Sequence, residues 1–253
     1  MKIGLFDSGI GGISVLYHAL KSLPQEEFLY YADGDHVPFG GKTREEICSY
    51  TYDGLKFLFD HGVDVAVVAC NTATSAAIEY VRASFDKPIL GMEPAVKPAV
   101  QHAAGKRVLV TATPFTIREE RLHHLVRLVD KEHLVTLKAL PELVNFAEHG
   151  EFDSPAVRDY FLKEFSDLDL EDYGELVLGC THFTYFRKVL SSILGPDVEL
   201  IDGNQGTVRH LVELVQDLPT AGHRSVRFFI SGRPVTDEKT LGFYQTLMDQ
   251  VEI

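Results

Sequence analysis

Two short, almost wholly aliphatic runs constrain the fold of this chain more than any other feature. Asp64-Val65-Ala66-Val67-Val68-Ala69 leads straight into Cys70-Asn71-Thr72-Ala73-Thr74. Glu175-Leu176-Val177-Leu178-Gly179 leads into Cys180-Thr181-His182-Phe183-Thr184. Short runs of this kind lack the alternation of a half-solvated strand. They read as strands covered on both faces, the situation of a parallel sheet packed between helices.

In such sheets ligands bind at the carboxyl ends of the strands. Each run therefore delivers a thiol to a binding edge. Cys70 and Cys180 are too far apart in sequence for a Cys-x-x-Cys redox or zinc pair. Two thiols on equivalent tips of two half-molecules can face each other across a cleft. That arrangement suits proton transfer at a carbon, with one base on each face.

The rest of the chain supports the same class. Lys2–Phe6 reads as a strand, followed by the turn Asp7-Ser8-Gly9-Ile10-Gly11-Gly12 and a helix carrying Val15, Leu16, Ala19 and Leu20. Phe28–Ala32 is a second strand. Thr43 and Glu46 form a capping-box signature before a helix with Ile47, Leu55, Leu58 and Phe59. A helix from about Thr74 to Phe85 follows the first thiol strand, and Pro88–Gly91 is a short strand. The alternation then restarts with Arg107–Val110, ending in Thr111-Ala112-Thr113, and with a helix at Glu119–Leu128. Val135–Ala139, Leu176–Leu178, Val198–Ile201 and Val226–Ile230 are further strands, and a helix after Thr207 holds Leu211, Leu214 and Val215. Strands alternating with helices predict α/β architecture. A weak internal duplication predicts two similar doubly wound parallel-sheet lobes, related by a pseudo-twofold, with a cleft between them and a boundary near Glu93–Gln101.

Bulk properties narrow the function. The 253 residues are 45% hydrophobic and 24% charged, as in soluble globular proteins. No run reaches the roughly 18 apolar residues of a membrane helix, and Met1–Asp7 reads as a strand rather than a signal peptide. A cytoplasmic location is expected, with the three cysteines as free thiols. A net charge of −13 opposes nucleic-acid binding and anionic membranes. An anionic substrate would have to be held locally, by N–H groups, hydroxyls and helix N-termini.

Each candidate also has a plainer explanation. The glycine turn is neither a dinucleotide fingerprint nor a phosphate-binding loop with its lysine, and could be an ordinary β–α turn. Asp7 and Ser8 at a strand end favour a binding role. A single buried cysteine is usually inert. At a strand end beside the N-terminus of the next helix, however, Cys70 and Cys180 are expected to have lowered thiol pKa values. Cys48, in mid-helix, reads as structural, and His123 and His124 as helix-surface residues. His182, two residues from a thiol, reads as its proton-transfer partner. No compact ligand spacing supports a metal, and nothing marks Lys97 as a pyridoxal lysine. No cofactor is expected.

Six segments, in order, resemble glutamate racemases of the aspartate/glutamate racemase superfamily. They are Asp7-Ser8-Gly9-Ile10-Gly11-Gly12, Asp33 with Pro38-Phe39-Gly40, Ala69-Cys70-Asn71-Thr72-Ala73-Thr74, Glu93-Pro94-Ala95-Val96-Lys97-Pro98, Thr111-Ala112-Thr113, and Leu178-Gly179-Cys180-Thr181-His182. The resemblance implies cofactor-independent interconversion of L- and D-glutamate, supplying D-glutamate for peptidoglycan. It implies Cys70 and Cys180 as the acid/base thiols, Cys70 for the D-isomer and Cys180 for the L-isomer. Asp7 and His182 would be their relay partners, with Glu148 near the cleft. Substrate contacts would come from Asp7, Ser8, Asp33, Pro38, Phe39, Gly40, Asn71, Thr72, Thr181 and His182. The resemblance also implies a homodimer. It places the N-terminal lobe at residues 1–95 plus 208–253 and the second lobe at 96–207. Three departures stand out. Phe39 occupies a place where Tyr is usual, Leu140 one where Cys is common, and Phe183-Thr184-Tyr185 replaces Tyr-Pro-Leu. The alternatives are an aspartate or hydantoin racemase, a Cys–His hydrolase, and a small-molecule binding module.

Overall fold

The apolar runs form the middle of two separate sheets in the computed structural model, which describes residues 1–251. The strands are β1 (Lys2–Asp7), β2 (Glu27–Ala32), β3 (Val65–Val68), β4 (Ile89–Gly91), β5 (Arg107–Ala112), β6 (Val135–Ala139), β7 (Tyr173–Leu178), β8 (Glu199–Asp202), β9 (Ser225–Ile230) and β10 (Arg233–Pro234). One sheet has the order β10-β9-β2-β1-β3-β4, the other β6-β5-β7-β8. Numbered from the first strand of each half, both contain the order 2-1-3-4, and every pair within that unit is parallel. The fold is α/β with two parallel-sheet lobes.

Both faces of each sheet are covered, which explains the unbroken apolar runs. In the first sheet Ile3, Leu5, Val65 and Val67 enter one cluster, while Phe6, Ala66 and Val68 enter another on the opposite face. In the second sheet Leu109, Leu176 and Leu178 face the first of these clusters, and Val108, Val110 and Val177 face a third. The first cluster therefore runs through both lobes. Each large aliphatic side chain buried this way contributes about 1.5–3 kcal/mol.

Local signals place the helices. Thr43 and Glu46 form the expected capping box at the start of helix Arg44–Asp60. The helix after β3 begins at Asn71, ahead of the expected Thr74, because Cys70 itself is the cap and its sulfur accepts from the Ala73 N–H at 3.4 Å. The helix after β8 likewise starts early, at Asn204. Short helices at Val96–His102, Glu142–Glu148, Pro155–Glu164 and Arg187–Leu194, and a longer one at Glu238–Val251, lie in stretches the periodicity leaves unassigned. β9 pairs in parallel with β2, from Glu27↔Ser225 to Ala32↔Ile230, so the C-terminal stretch extends the N-terminal sheet.

Candidate active site

The carboxyl ends of the two sheets meet. β1 ends in Asp7, β3 runs into Cys70, β5 into Thr113 and β7 into Cys180. Asp7 is fully buried, the two thiols are each 4% exposed and His182 is 1% exposed. Asp7 Oδ1 accepts from the Gly9 N–H at 2.8 Å, and its Oδ2 accepts from the Thr181 hydroxyl at 3.1 Å. One carboxylate thus joins the N-terminal glycine turn to the segment that follows the second thiol.

The two thiols have different neighbours. Cys70 Sγ lies 3.6 Å from Ser8 Oγ. Cys180 Sγ lies 3.8 Å from His182 Nδ1, and His182 Nε2 lies 2.6 Å from Glu148 Oε1. That Glu148 oxygen also accepts from the Ile10 N–H at 2.9 Å. Thiol, imidazole and carboxylate therefore form a line on the Cys180 side.

The electrostatics follow from burial. The Asp7 carboxyl is pushed up to about 6 by loss of solvent, against the opposing pull of His182, Gly9 and Thr181. The Cys70 thiol is pushed up to about 12, mainly by burial, then by the Asp7 carboxylate, with Cys180 adding to it. This overturns the expectation that the helix N-terminus lowers the Cys70 pKa. The Ala73 and Ser8 hydrogen bonds do favour the thiolate, but desolvation is larger. Burial depresses the His182 imidazole, yet its hydrogen bonds to Cys180 and Glu148 win and hold it well above its usual value.

Glycines are required at the turn for lack of room. A Cβ on Gly9 would run into the Glu148 carboxylate, and one on Gly11 would collide with Thr181 and His182. The buried Asn71 amide has neither its nitrogen nor its oxygen hydrogen-bonded. A buried amide left this way carries a cost of about 1–3 kcal/mol that a polar ligand removes. Thr72 Oγ1 lies 2.8 Å from Thr113 Oγ1 and 3.3 Å from Thr116 Oγ1, which links the two lobes.

The family model for Asp/Glu/Hydantoin racemase matches residues 17–211. This chain belongs to that family. A glutamate racemase of Campylobacter curvus is 49% identical over 95% of this chain and 94% of its own. Glutamate racemase 2 of Bacillus subtilis is 44% identical over 98% and 96%. Among solved structures, Escherichia coli glutamate racemase in complex with L-glutamate and the activator UDP-MurNAc-Ala superposes with a TM-score of 0.83 at 25% identity, covering 98% of this chain and 94% of that one. The chain is thus an isomerase of the amino-acid racemase type.

The residues expected at the site of this racemase fall into two groups. Asp7, Ser8, Cys70, Asn71, Thr72, Glu148, Cys180, Thr181 and His182 gather around the two thiols. Gly40 lies against Thr113 at the lobe junction. The side chains of the others make no hydrogen bond to this network, although the Asp33 N–H donates to the Asp7 carbonyl at 2.9 Å. Asp33 holds His36 Nδ1 at 2.8 Å and accepts from Ser231 Oγ at 3.3 Å, which ties the loop after β2 to β9. Pro38 is exposed. Phe39 is 2% exposed, its ring 6.3 Å from Phe6 and 6.0 Å from Tyr50, so its side chain is core rather than site rim. Leu140, at another departure from the family pattern, is simply core. Two residues that hold the glycine turn were not among the expected site residues: Tyr30 donates to the Gly9 carbonyl and Tyr185 to the Ile10 carbonyl. Tyr30 lies inside an apolar strand, and Tyr185 stood out only as a departure from the family pattern. Among the described residues no group of three metal-ligating side chains occurs, and no helix is long and apolar enough to cross a membrane.

Proposed function

We propose that this racemase interconverts L- and D-glutamate through two thiols acting on opposite faces of the α-carbon. The observation that carries this reading is the convergence of two buried thiols, from the same position in two sheets of the same order, on one network of polar groups. Cys180, beside His182 and Glu148, removes the α-proton of L-glutamate as a thiolate. The C–H electron pair passes into the α-carboxylate, which N–H groups and hydroxyls at the strand ends stabilise. Cys70, held protonated by burial and by Asp7, gives its S–H proton to the opposite face and becomes the thiolate. In the reverse direction Cys70 takes the proton of D-glutamate and Cys180 returns one. Because the two thiols interact, their titration belongs to the pair.

The thiols are buried, so the lobes part to admit substrate. The Thr72–Thr113 hydrogen bond and the Arg44–Glu119 ion pair would open in that step. A groove of about 1050 Å³, lined among others by His102, Arg187, Glu199 and Gln205, contains neither thiol and lies away from this chemistry. The bacterial glutamate racemases that the chain resembles support a role in supplying D-glutamate for peptidoglycan, checked by rescue of a D-glutamate auxotroph. A homodimer goes with this reading and is read by sedimentation.

The deciding test runs L-glutamate in deuterated water. Early D-product should carry α-deuterium while remaining L-glutamate keeps its protium, because the two sulfurs hold different hydrogens. Substantial protium in early product would reject two opposed bases. The Cys180–His182–Glu148 line would also suit a thiol hydrolase, but that chemistry leaves Cys70 without a role. Turnover of ester or amide substrates in place of glutamate would favour it.

A further inference from the structure

Tyr185 is a buried phenol beside the relay, and the proton-transfer scheme above makes no use of it. Its hydroxyl donates to the Ile10 carbonyl at 3.1 Å, with the Gly11 carbonyl at 3.5 Å. A second buried phenol, Tyr30, donates to the Gly9 carbonyl at 2.7 Å. Both rings are fixed by packing, Tyr30 against Phe228 and Tyr185 against Phe152. Burial first, then Asp7, raises the phenol pKa of both well above the usual value, so each remains a donor.

The Tyr30 bond acts on the peptide that holds the relay, and the Tyr185 bond on the peptide that follows it. The Gly9 carbonyl and the Ile10 N–H belong to one peptide plane and point in opposite directions in a trans peptide. Holding the carbonyl from one side aims the N–H to the other, where it donates to Glu148 Oε1 at 2.9 Å. The same oxygen pairs with His182 Nε2. Tyr185 closes the ring from the far side. It shares the 3₁₀ segment Thr181–Phe186 with His182. Residues three apart in a 3₁₀ helix lie on one face. His182 and Tyr185 therefore both face the glycine turn, one through Glu148 and one directly. A leucine at 185 cannot make this closure.

We infer that Tyr185 is a positioning residue for the Cys180 relay: its hydroxyl locks the glycine turn onto the segment that carries His182, and so keeps the Ile10 N–H on Glu148 and Glu148 on the imidazole. Tyr30 secures the Gly9–Ile10 peptide group that carries this N–H, and Tyr185 the one after it. The charged groups facing His182 are Cys180 on its own segment, Glu148 from helix Glu142–Glu148 and Asp7 from β1.

The rate arm of the test rests on the racemase reading; the spectroscopic arm does not. Tyr185→Phe keeps the ring and removes the hydroxyl, and Tyr185→Leu removes both. In both, kcat should fall about tenfold with KM little changed, because the loss is one of positioning. The alkaline limb of kcat/KM should move down by roughly one pH unit as Glu148 loosens from His182. The ¹⁵N resonance of the His182 ring, identified by its loss in His182→Gln, should turn to the neutral form at lower pH than in the unaltered protein. Tyr30→Phe should shift the same readings in the same direction and serves if the Tyr185 variants do not fold. A Tyr185→Phe protein with a lower melting temperature but unchanged pH profile and His182 titration would overturn the inference, as would one identical to the parent. Absence of racemase activity in the unaltered protein would remove the functional reading above, while the His182 titration would still decide the role of Tyr185.

Discussion

Cys70 and Cys180 occupy the same place in two sheets of the same strand order, yet they stand in different chemical surroundings. Cys70 caps an α-helix that starts at the next residue, and the charge that acts on it most is the Asp7 carboxylate. Cys180 precedes a 3₁₀ segment, caps nothing with its sulfur, and faces an imidazole backed by a carboxylate. Burial and a negative neighbour push the first thiol up, whereas the second stands beside an imidazole that its hydrogen bonds hold above the usual value. Equivalent fold positions thus carry unequal neighbours, and in the mechanism proposed above that inequality would make Cys70 the acid and Cys180 the base in the L-to-D direction.

The largest expected effect tests whether both corners are needed. Cys70→Ala and Cys180→Ala should each lower racemisation by about a thousandfold or more, read by circular dichroism of either enantiomer. Near-parental turnover in either variant would end the two-base comparison. The serine variants sharpen it. Enantiomers have equal free energies, so kcat/KM must fall equally in both directions. The asymmetry should appear instead in the α-deuterium isotope effects, larger from D-glutamate in Cys70→Ser and larger from L-glutamate in Cys180→Ser.

Asp7, which lies between the two corners, is buried at a cost in stability. Its folded pKa, about 6, lies above the ordinary 3.8, so the folded state binds the extra proton between those values. The stability that proton contributes is full below pH 3.8 and is lost as pH rises through about 6. Asp7→Asn should therefore be more stable than the parent at pH 8, by up to about 3 kcal/mol, with the difference vanishing near pH 4 and racemisation largely lost. Denaturant titrations at the two pH values check this; equal stability at pH 8 would contradict it.

Glu148→Gln should disturb the Cys180 corner alone. A loss of about a hundredfold or less is expected, with the alkaline limb of the rate profile displaced to lower pH as His182 loses its anionic partner. An undisplaced limb would separate Glu148 from the relay. The smallest effect belongs to the third thiol. Cys48 sits within helix Arg44–Asp60, its S–H donating to the Ala76 carbonyl at 3.5 Å. Cys48→Ala should keep activity within about twofold and stability within about 1 kcal/mol, measured by the same assay and a melting curve.

The duplication was legible because its carriers are local. An aliphatic run closed by a thiol and small polar residues is written in consecutive positions, and so is the Thr43–Glu46 capping box. Helix Glu142–Glu148 was not legible, since so short a helix shows less than two turns of periodicity. Glu148 entered only through resemblance, and its hold on His182 depends on two segments distant in the chain. The Phe39 position misled for the opposite reason. A motif places a residue near a site but does not say which way its ring turns, and this ring turns into the core.

The sequence by itself determined the parallel α/β class, the strand-end placement of both thiols and the short glycine turn beside Asp7, because each depends on residue type and spacing over a few positions. Only the tertiary structure decided that burial raises the Cys70 thiol, that Tyr30 and Tyr185 grip the glycine turn, and that Asn71 presents an amide with no partner. These properties arise from desolvation and from hydrogen bonds between distant segments. Burial of Asp7 and Cys70 outweighs the local helix-end effect that spacing predicts, and no stretch of consecutive residues records how much solvent the fold removes.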